Sequence, residues 1–284
     1  MPRYLAEAGV GYAGSNAMPE ITDAYAHCGM RKYKPLAELK RVADRYGVAR
    51  TVLVEHMGEF DNSYIGAIVH EQPDRFSGVF LVEMDAPDAS ATIANWASTG
   101  NFRGIRMLAP SILSHLALWE YAAELGLHFV VSCPFPAEQA VAIGRFAEAH
   151  PKNMLQLTHL GSPDVADSPG FVSLNPLLSL SSAKNVHVQV SGMHQLSKAP
   201  YADLIPAISR VYEAFGRERV LYGSNFPVMV EDSVYGLEIA LLQAGKLGIP
   251  TDAIPAVMDG NARRLWFSRK SLRAGSLVWR CAFG

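Results

Sequence analysis

The sequence predicts an α/β chain folded as a single-domain (β/α)8 TIM barrel. Three observations carry this expectation. Eight short, mostly apolar runs recur along the chain, and segments with helical periodicity separate them. The glycine-rich G-x-G-x-x-G turn of a dinucleotide-binding sheet is absent after the first run, where the chain reads HCGMRKY. Apolar strands alternating with helices describe a parallel sheet covered on both faces. Eight such units between Ile21 and Phe267 suit a closed barrel better than an open doubly wound sheet.

In chain order, the expected strands are Ile21–His27, Thr51–His56, Val79–Glu83, Gly104–Leu108, His128–Cys133, Leu155–His159, Val186–Ser191 and Val220–Asn225. Successive starts lie 24 to 34 residues apart, enough for one helix and two short loops. Pro35–Tyr46 sets Leu36, Leu39, Val42, Ala43 and Tyr46 on one helical stripe, with Pro35 at the first turn and Gly47 as a stop. Ala137–His150 repeats the pattern, with Val141, Ile143, Phe146 and Ala147 expected inside. Pro200–Phe215 carries Pro206, so that helix is expected to start or kink there. Asp61 or Asn62 is expected to cap a helix beginning near Ser63. Residues 1–20 read as an N-terminal extension and 21–267 as the barrel. Residues 268–284 read as a basic tail, with four basic residues and no acidic ones.

Composition narrows the function. Of 284 residues, 49% are hydrophobic and 18% charged, which excludes global disorder. A net charge of −2 gives none of the basic excess of a nucleic-acid binder. Cys28, Cys133 and Cys281 are too scattered for a disulfide framework and fit a reducing compartment. The N-terminal stretch lacks a continuous apolar core of the signal-peptide kind, and no apolar run approaches membrane-span length. The expectation is a soluble cytoplasmic protein whose partner is a small-molecule substrate, with no nucleic acid and no membrane. A homo-oligomer is compatible with the sequence.

In a (β/α)8 barrel, ligands bind at the C-terminal ends of the strands. Those ends carry Asp23, Tyr25 and His27; Glu55 and His56; Glu83 and Asp85; Arg106; Ser132 and Cys133; His159; Ser191 with His194 just beyond; and Asn225. So many converging polar side chains are costly in a core and point to a pocket.

Several stretches resemble the amidohydrolase-related family, in its branch of small lactone-hydrolysing barrels typified by 2-pyrone-4,6-dicarboxylate lactonase and L-fuconolactonase. They are TDAYAH, RTVLVEHMGEFDNSYI, NFRGIRML, LWEYAAELGLHFVV, LTHLGSP, VQVSGMHQLS, DLIPAISRVYEAFGRERVLYGSNFPV and GNARRLWF, and they run from Ile21 to Phe267. The resemblance implies the barrel fold and hydrolysis of a small cyclic ester or related carbon-bond chemistry.

The departures from the family pattern are informative. The family opens with Asp-x-His-x-His; here Tyr25 stands at the first histidine position and His27 at the second. The family's strand-eight Gly-x-Asp-x-Pro becomes Gly223-Ser224-Asn225-Phe226-Pro227. Zinc wants three or four imidazole, thiolate or carboxylate ligands. His27 and His159 remain and Cys133 is a spare thiol, but Tyr25 and Asn225 are poor ligands. The expectation is therefore no cofactor and a degenerate metal site. An asparagine amide does not titrate, so Asn225 is no general base.

Each candidate also has a plainer reading. His27 and His159 are proton-moving imidazoles or core histidines bonded to carbonyls. Tyr25 is an oxyanion donor or a lining aromatic. Asn225 is a pocket hydrogen-bonding group or a turn residue. Arg106 holds a substrate carboxylate or pairs with Glu83 or Glu55. Glu55 is a base raised by burial or half of an ion pair. Ser132 and Cys133 line the pocket, with Cys133 a nucleophile or an inert thiol. His194 faces substrate, where the family often has arginine or tyrosine. Three functions follow. The first is metal-independent hydrolysis of a lactone or small cyclic carboxylate, with His27, His159, Tyr25 and Asn225 as the catalytic group. The second is isomerisation, dehydration or cyclisation of a natural-product intermediate. The third is a non-catalytic descendant that binds a small molecule.

Overall fold

A computed structural model describes residues 20–229 and 231–268. The extension, apart from Glu20, and the basic tail, apart from Ser268, lie outside the described residues. Eight parallel strands run in sequence order around one sheet. They are β1 (Ile21–Ala26), β2 (Val48–Val54), β3 (Phe76–Phe80), β4 (Phe102–Leu108), β5 (His128–Ser132), β6 (Leu155–Leu157), β7 (Val186–Val190) and β8 (Val220–Tyr222). The helices between them are α1 (Leu36–Arg45), α2 (Ser63–Glu71), α3 (Ala89–Ser98), α4 (Ser111–Ser114), α5 (Leu116–Glu124), α6 (Ala137–Ala149), α7 (Asn175–Ser179), α8 (Met193–Leu196), α9 (Ile205–Phe215), α10 (Asp232–Gln243) and α11 (Asn261–Trp266). The expected (β/α)8 barrel is the observed one.

The barrel closes between its first and last strands. The Asn225 N–H donates to the Tyr25 carbonyl at 2.8 Å, and the His27 N–H donates to the Phe226 carbonyl at 2.7 Å. Asp23 reinforces this seam. It accepts the backbone N–H and the hydroxyl of Ser224, at 2.8 and 2.6 Å, and the Tyr235 hydroxyl at 3.1 Å. Closure thus carries Tyr25 and His27 up against the β8 loop.

Alternation along the strands sorts the two faces. Ala24, Tyr25, Val52, Val54, Val79, Val130 and Leu221 form the inner core, with Leu265 and Trp266 of α11 packed against them. A second, larger core lies between strands and helices and includes Leu39, Leu53, Phe80, Phe129, Val188 and Ile208. Gly104 on β4 makes room for the Trp266 indole, since a Cβ there would stand 2.9 Å from its ring.

Some elements differ from expectation for local reasons. β3 starts at Phe76 rather than Val79 and ends at Phe80. Beyond it, the Asn62 amide accepts the Leu81 N–H and donates to the Leu81 carbonyl, both at 2.9 Å, in place of a strand neighbour. Asn62 therefore does not cap α2 with its side chain; Asp61 instead accepts the Ser63 N–H at 3.1 Å. On α6, Ile143, Phe146 and Ala147 are buried as expected, but Ala140 takes the fourth inward place and Val141 is exposed. α9 begins at Ile205, and Pro206 fits its first turn.

Candidate active site

The cluster at the C-terminal mouth is built around Tyr25. Its ring meets the His27 imidazole edge-on at a centroid distance of 4.9 Å and the His159 imidazole edge-on at 5.1 Å. The Arg106 guanidinium carbon lies 5.8 Å from the same ring. Tyr33, from the loop after β1, stacks on His27 at 5.2 Å and meets His56 edge-on at 4.8 Å. The Tyr25 hydroxyl is buried with no partner at hydrogen-bonding distance among the described residues, although the Ser132 hydroxyl is close enough to influence it. Burial raises its pKa, with the Arg106 charge opposing, so the phenol keeps its proton at neutral pH.

His27 is held by one clear contact. Its Nδ1 lies 2.6 Å from the Val54 carbonyl oxygen. A carbonyl only accepts, so Nδ1 carries the proton and Nε2 a lone pair. Burial, and next the Arg106 charge, hold the His27 pKa well below the ordinary value. His159 sits at the start of the loop after β6 with a positive φ of 52°. Its backbone N–H donates to the Ser191 hydroxyl oxygen at 3.1 Å, and its Nδ1 lies 2.9 Å from that oxygen. Burial, helped by Arg106, takes its pKa down to about 3. Both imidazoles are neutral at pH 7.

Arg106 forms no ion pair among the described residues, so of its two expected readings the pairing with Glu55 or Glu83 is not the one seen. Its Nη1 donates to the Glu55 backbone carbonyl at 2.8 Å and its Nε to Ser132 Oγ at 3.1 Å. The guanidinium is buried with no carboxylate at ion-pairing distance among the described residues, Glu55 acting on it only at longer range, which leaves it suited to an anionic ligand. Ser132 thus orients Arg106. Cys133 Sγ lies 2.9 Å from Ser162 Oγ and is partly exposed at the rim of β5. Asn225, in the left-handed region at φ 57°, donates from Nδ2 to Gln195 Oε1 at 2.8 Å.

Two expected site residues lie elsewhere. Val52 and Val54 point into the barrel, and Glu55, the residue just beyond β2, turns the other way. It lines a separate cavity of about 180 Å³ with Cys28, His56, Glu59, Asp61 and Tyr64. Its carboxylate accepts the His56 N–H, and burial raises its pKa to about 7. His194 does not face a substrate either. Its Nδ1 contacts the buried Glu238 carboxylate at 3.1 Å, and its Nε2 the Val228 carbonyl at 2.8 Å. Burial opposes its charge, but the Glu238 contact prevails and its pKa is raised. Held at both nitrogens, His194 pins α8 to α10 and to the β8 loop.

Sequence reasoning placed Ser191 and Asp23 among the polar strand ends but gave neither its contact, Ser191 with His159 and Asp23 with the seam. It missed Tyr33, which lies in the loop after β1 and carried no strand-end signal. The metal donors likewise fall short of the family's. The retained donors are two imidazoles, a phenol and an amide, and Asp23, the carboxylate on the same strand as Tyr25, is committed to the seam. Among the described residues no group of three or more His, Cys, Asp or Glu is arranged to hold a metal ion. The residues present do not fit the family's metal. Nor is any helix among them long and apolar enough to cross a membrane.

Comparison with known proteins agrees with this architecture. An L-fucono-1,5-lactonase of Burkholderia ambifaria is 25% identical over 221 residues, 74% of each chain. A crystal structure from Pseudomonas putida, provisionally assigned as a 2-pyrone-4,6-dicarboxylic acid hydrolase, superposes with a TM-score of 0.69 at 25% identity. That match covers 88% of this chain and 98% of the other. A zinc-bound amidohydrolase of Burkholderia multivorans shares the fold at 16% identity, with a TM-score of 0.70 over 87% of this chain and 98% of its own. The family profile described as Amidohydrolase matches residues 13–267. The chain therefore belongs to the amidohydrolase family.

Proposed function

We propose that this protein hydrolyses a lactone or related small cyclic ester bearing a carboxylate, and does so without a bound metal. The observation that carries the reading is the buried Tyr25 hydroxyl, with no partner at hydrogen-bonding distance, set between two neutral imidazoles and beside a guanidinium that forms no ion pair among the described residues. The lactonase and hydrolase relatives support the substrate class.

The chemistry needs a base, an oxyanion donor and an anchor. Arg106 anchors the substrate carboxylate, with Ser132 orienting the guanidinium and Cys133 at the rim. The Nε2 lone pair of His27 or of His159 takes a proton from water as the water oxygen bonds to the ester carbonyl carbon. The Tyr25 hydroxyl donates a hydrogen bond to the oxyanion that forms. Asn225, whose amide holds Gln195, contributes a polar group at the edge. When the intermediate collapses, the ring carbon–oxygen bond breaks. The imidazolium gives its proton to the departing alkoxide, yielding the open hydroxy acid and the neutral imidazole. The neighbouring Arg106 charge disfavours the imidazolium and so speeds this return.

The test is proton release from a panel of lactones, including L-fucono-1,5-lactone and 2-pyrone-4,6-dicarboxylate, by chelator-treated protein. Turnover that survives chelation and disappears in His159→Ala is expected. Activity only on added zinc overturns the metal-independent mechanism. Solvent deuterium entering substrate carbon without hydrolysis replaces it with isomerisation, and binding without turnover replaces it with a ligand-binding role.

A further inference from the structure

We infer that Gln189, which is remote from the substrate space, is a positioning residue that sets which nitrogen of His159 carries the proton, acting through Ser191. The inference deepens the proposed role of His159 and rests on that reading for its catalytic meaning. Its structural content stands alone.

The argument is an accounting of protons along the barrel axis. The Ala24 carbonyl accepts from Gln189 Nε2 at 3.0 Å and from Gln156 Nε2 at 3.1 Å. The Gln156 amide is fixed in this orientation because Trp266 Nε1 donates to its Oε1 at 2.7 Å. The Gln189 amide is fixed because its oxygen would repel the Ala24 carbonyl if the amide were turned over. Gln189 Oε1 is therefore presented to the Ser191 hydroxyl, 3.3 Å away. Oε1 only accepts and has no other donor among the described residues, whereas His159 Nδ1 can itself donate, so the single Ser191 proton is assigned to Gln189. Ser191 Oγ has already received the His159 backbone N–H, and its remaining lone pair faces His159 Nδ1. For that last contact to be a hydrogen bond, Nδ1 must carry the proton. The lone pair is then on Nε2, which has no protein partner among the described residues.

The consequence is a matched pair. Val54 imposes the Nδ1–H form on His27, and Gln189 with Ser191 imposes it on His159. Both imidazoles then present bases to the mouth, and the proton-donating role falls to Tyr25 and Arg106. Gln189 and Ser191 are both fully buried, so water does not compete for these bonds.

The experiment is nitrogen NMR of protein labelled with ¹⁵N-histidine, at neutral pH and without substrate, with His159 assigned by comparison with His159→Gln. The expected result is a protonated Nδ1 and an unprotonated Nε2. In Gln189→Met the Ser191 proton turns to His159 Nδ1, and the tautomer should switch to Nε2–H. If that variant does not fold, Ser191→Ala removes the acceptor and should also shift His159 toward Nε2–H. A lactonase assay on the same variants should show kcat reduced about 10- to 100-fold with KM little changed. An Nε2–H resonance in the unmodified protein, or an unchanged tautomer in the folded variants, overturns the inference. Because the spectrum is read without substrate, absence of lactonase activity would defeat the proposed function and leave this assignment standing.

Discussion

The Nδ1 atom of His27 lies 2.6 Å from the carbonyl oxygen of Val54, one strand over, and this contact fixes a proton on the side of the ring that faces away from Nε2. Asparagine at the same position can offer its amide N–H to Val54 but has no basic lone pair. His27→Asn is therefore expected to keep its melting temperature within a few degrees while lactone turnover falls about 10²- to 10⁴-fold. Retained turnover, followed by proton release, would assign the base elsewhere.

Tyr25→Phe separates function from stability. The hydroxyl it removes is buried and unpaired, a state that costs about 1–3 kcal/mol for a polar group. The variant should match or exceed the unmodified protein in its urea midpoint. Its kcat should drop about 10²- to 10³-fold through loss of an oxyanion donor. A destabilised variant with full activity would contradict both halves.

Gly192 lies at φ 63°, and a Cβ there would stand 2.8 Å from His159 Nδ1 and 3.3 Å from Gln195 Oε1. Gly192→Ala strains the backbone and pushes the imidazole off Ser191. Loss of turnover, with a modest fall in melting temperature, is expected. Gly170→Ala, where the added Cβ would stand 3.8 Å from the Asp167 carbonyl oxygen, serves as the control and should behave as the unmodified protein.

Acid stability should report the buried histidines. His187, at the opposite end of the barrel, has its pKa lowered by burial to about 4, against an ordinary value near 6.5. Between those values the unfolded chain binds the proton and the folded one does not, so this contribution is lost as pH falls from about 6.5 toward 4. Asp23, raised by burial to about 6, acts in the opposite sense, since its folded form gains protons first. His187→Gln removes one histidine from the balance. It should make the fall in stability shallower by on the order of 1 kcal/mol per pH unit across that window, read from urea midpoints at pH 7, 6 and 5.

The barrel was legible because its strands are apolar on both faces and evenly spaced, and His27, Tyr25 and His159 because they sit at strand ends. Glu55 was legible in principle: Val52 and Val54 face inward, so the next residue faces out. The misreading came from treating every polar strand end as convergent. His194 was not legible, because the carboxylate that claims it, Glu238, is 44 residues away on α10. The early end of β3 depended on Asn62 reaching Leu81, a contact between two loops that no periodicity announces. Gln189 and Gln156 read as interior strand positions. Only the geometry shows that an amide, rather than an aliphatic chain, fills the barrel axis there.

The bond between Asp23 and Ser224 spans 201 residues of sequence and draws the first strand to the last. Tyr25 and His27 are synthesised with the first strand of the barrel, but the wall behind them is supplied by its last. A nascent chain that stops short of β8 would hold both residues and still lack the enclosure that keeps water from the phenol. Catalytic competence is in this way deferred until translation of the barrel is nearly done.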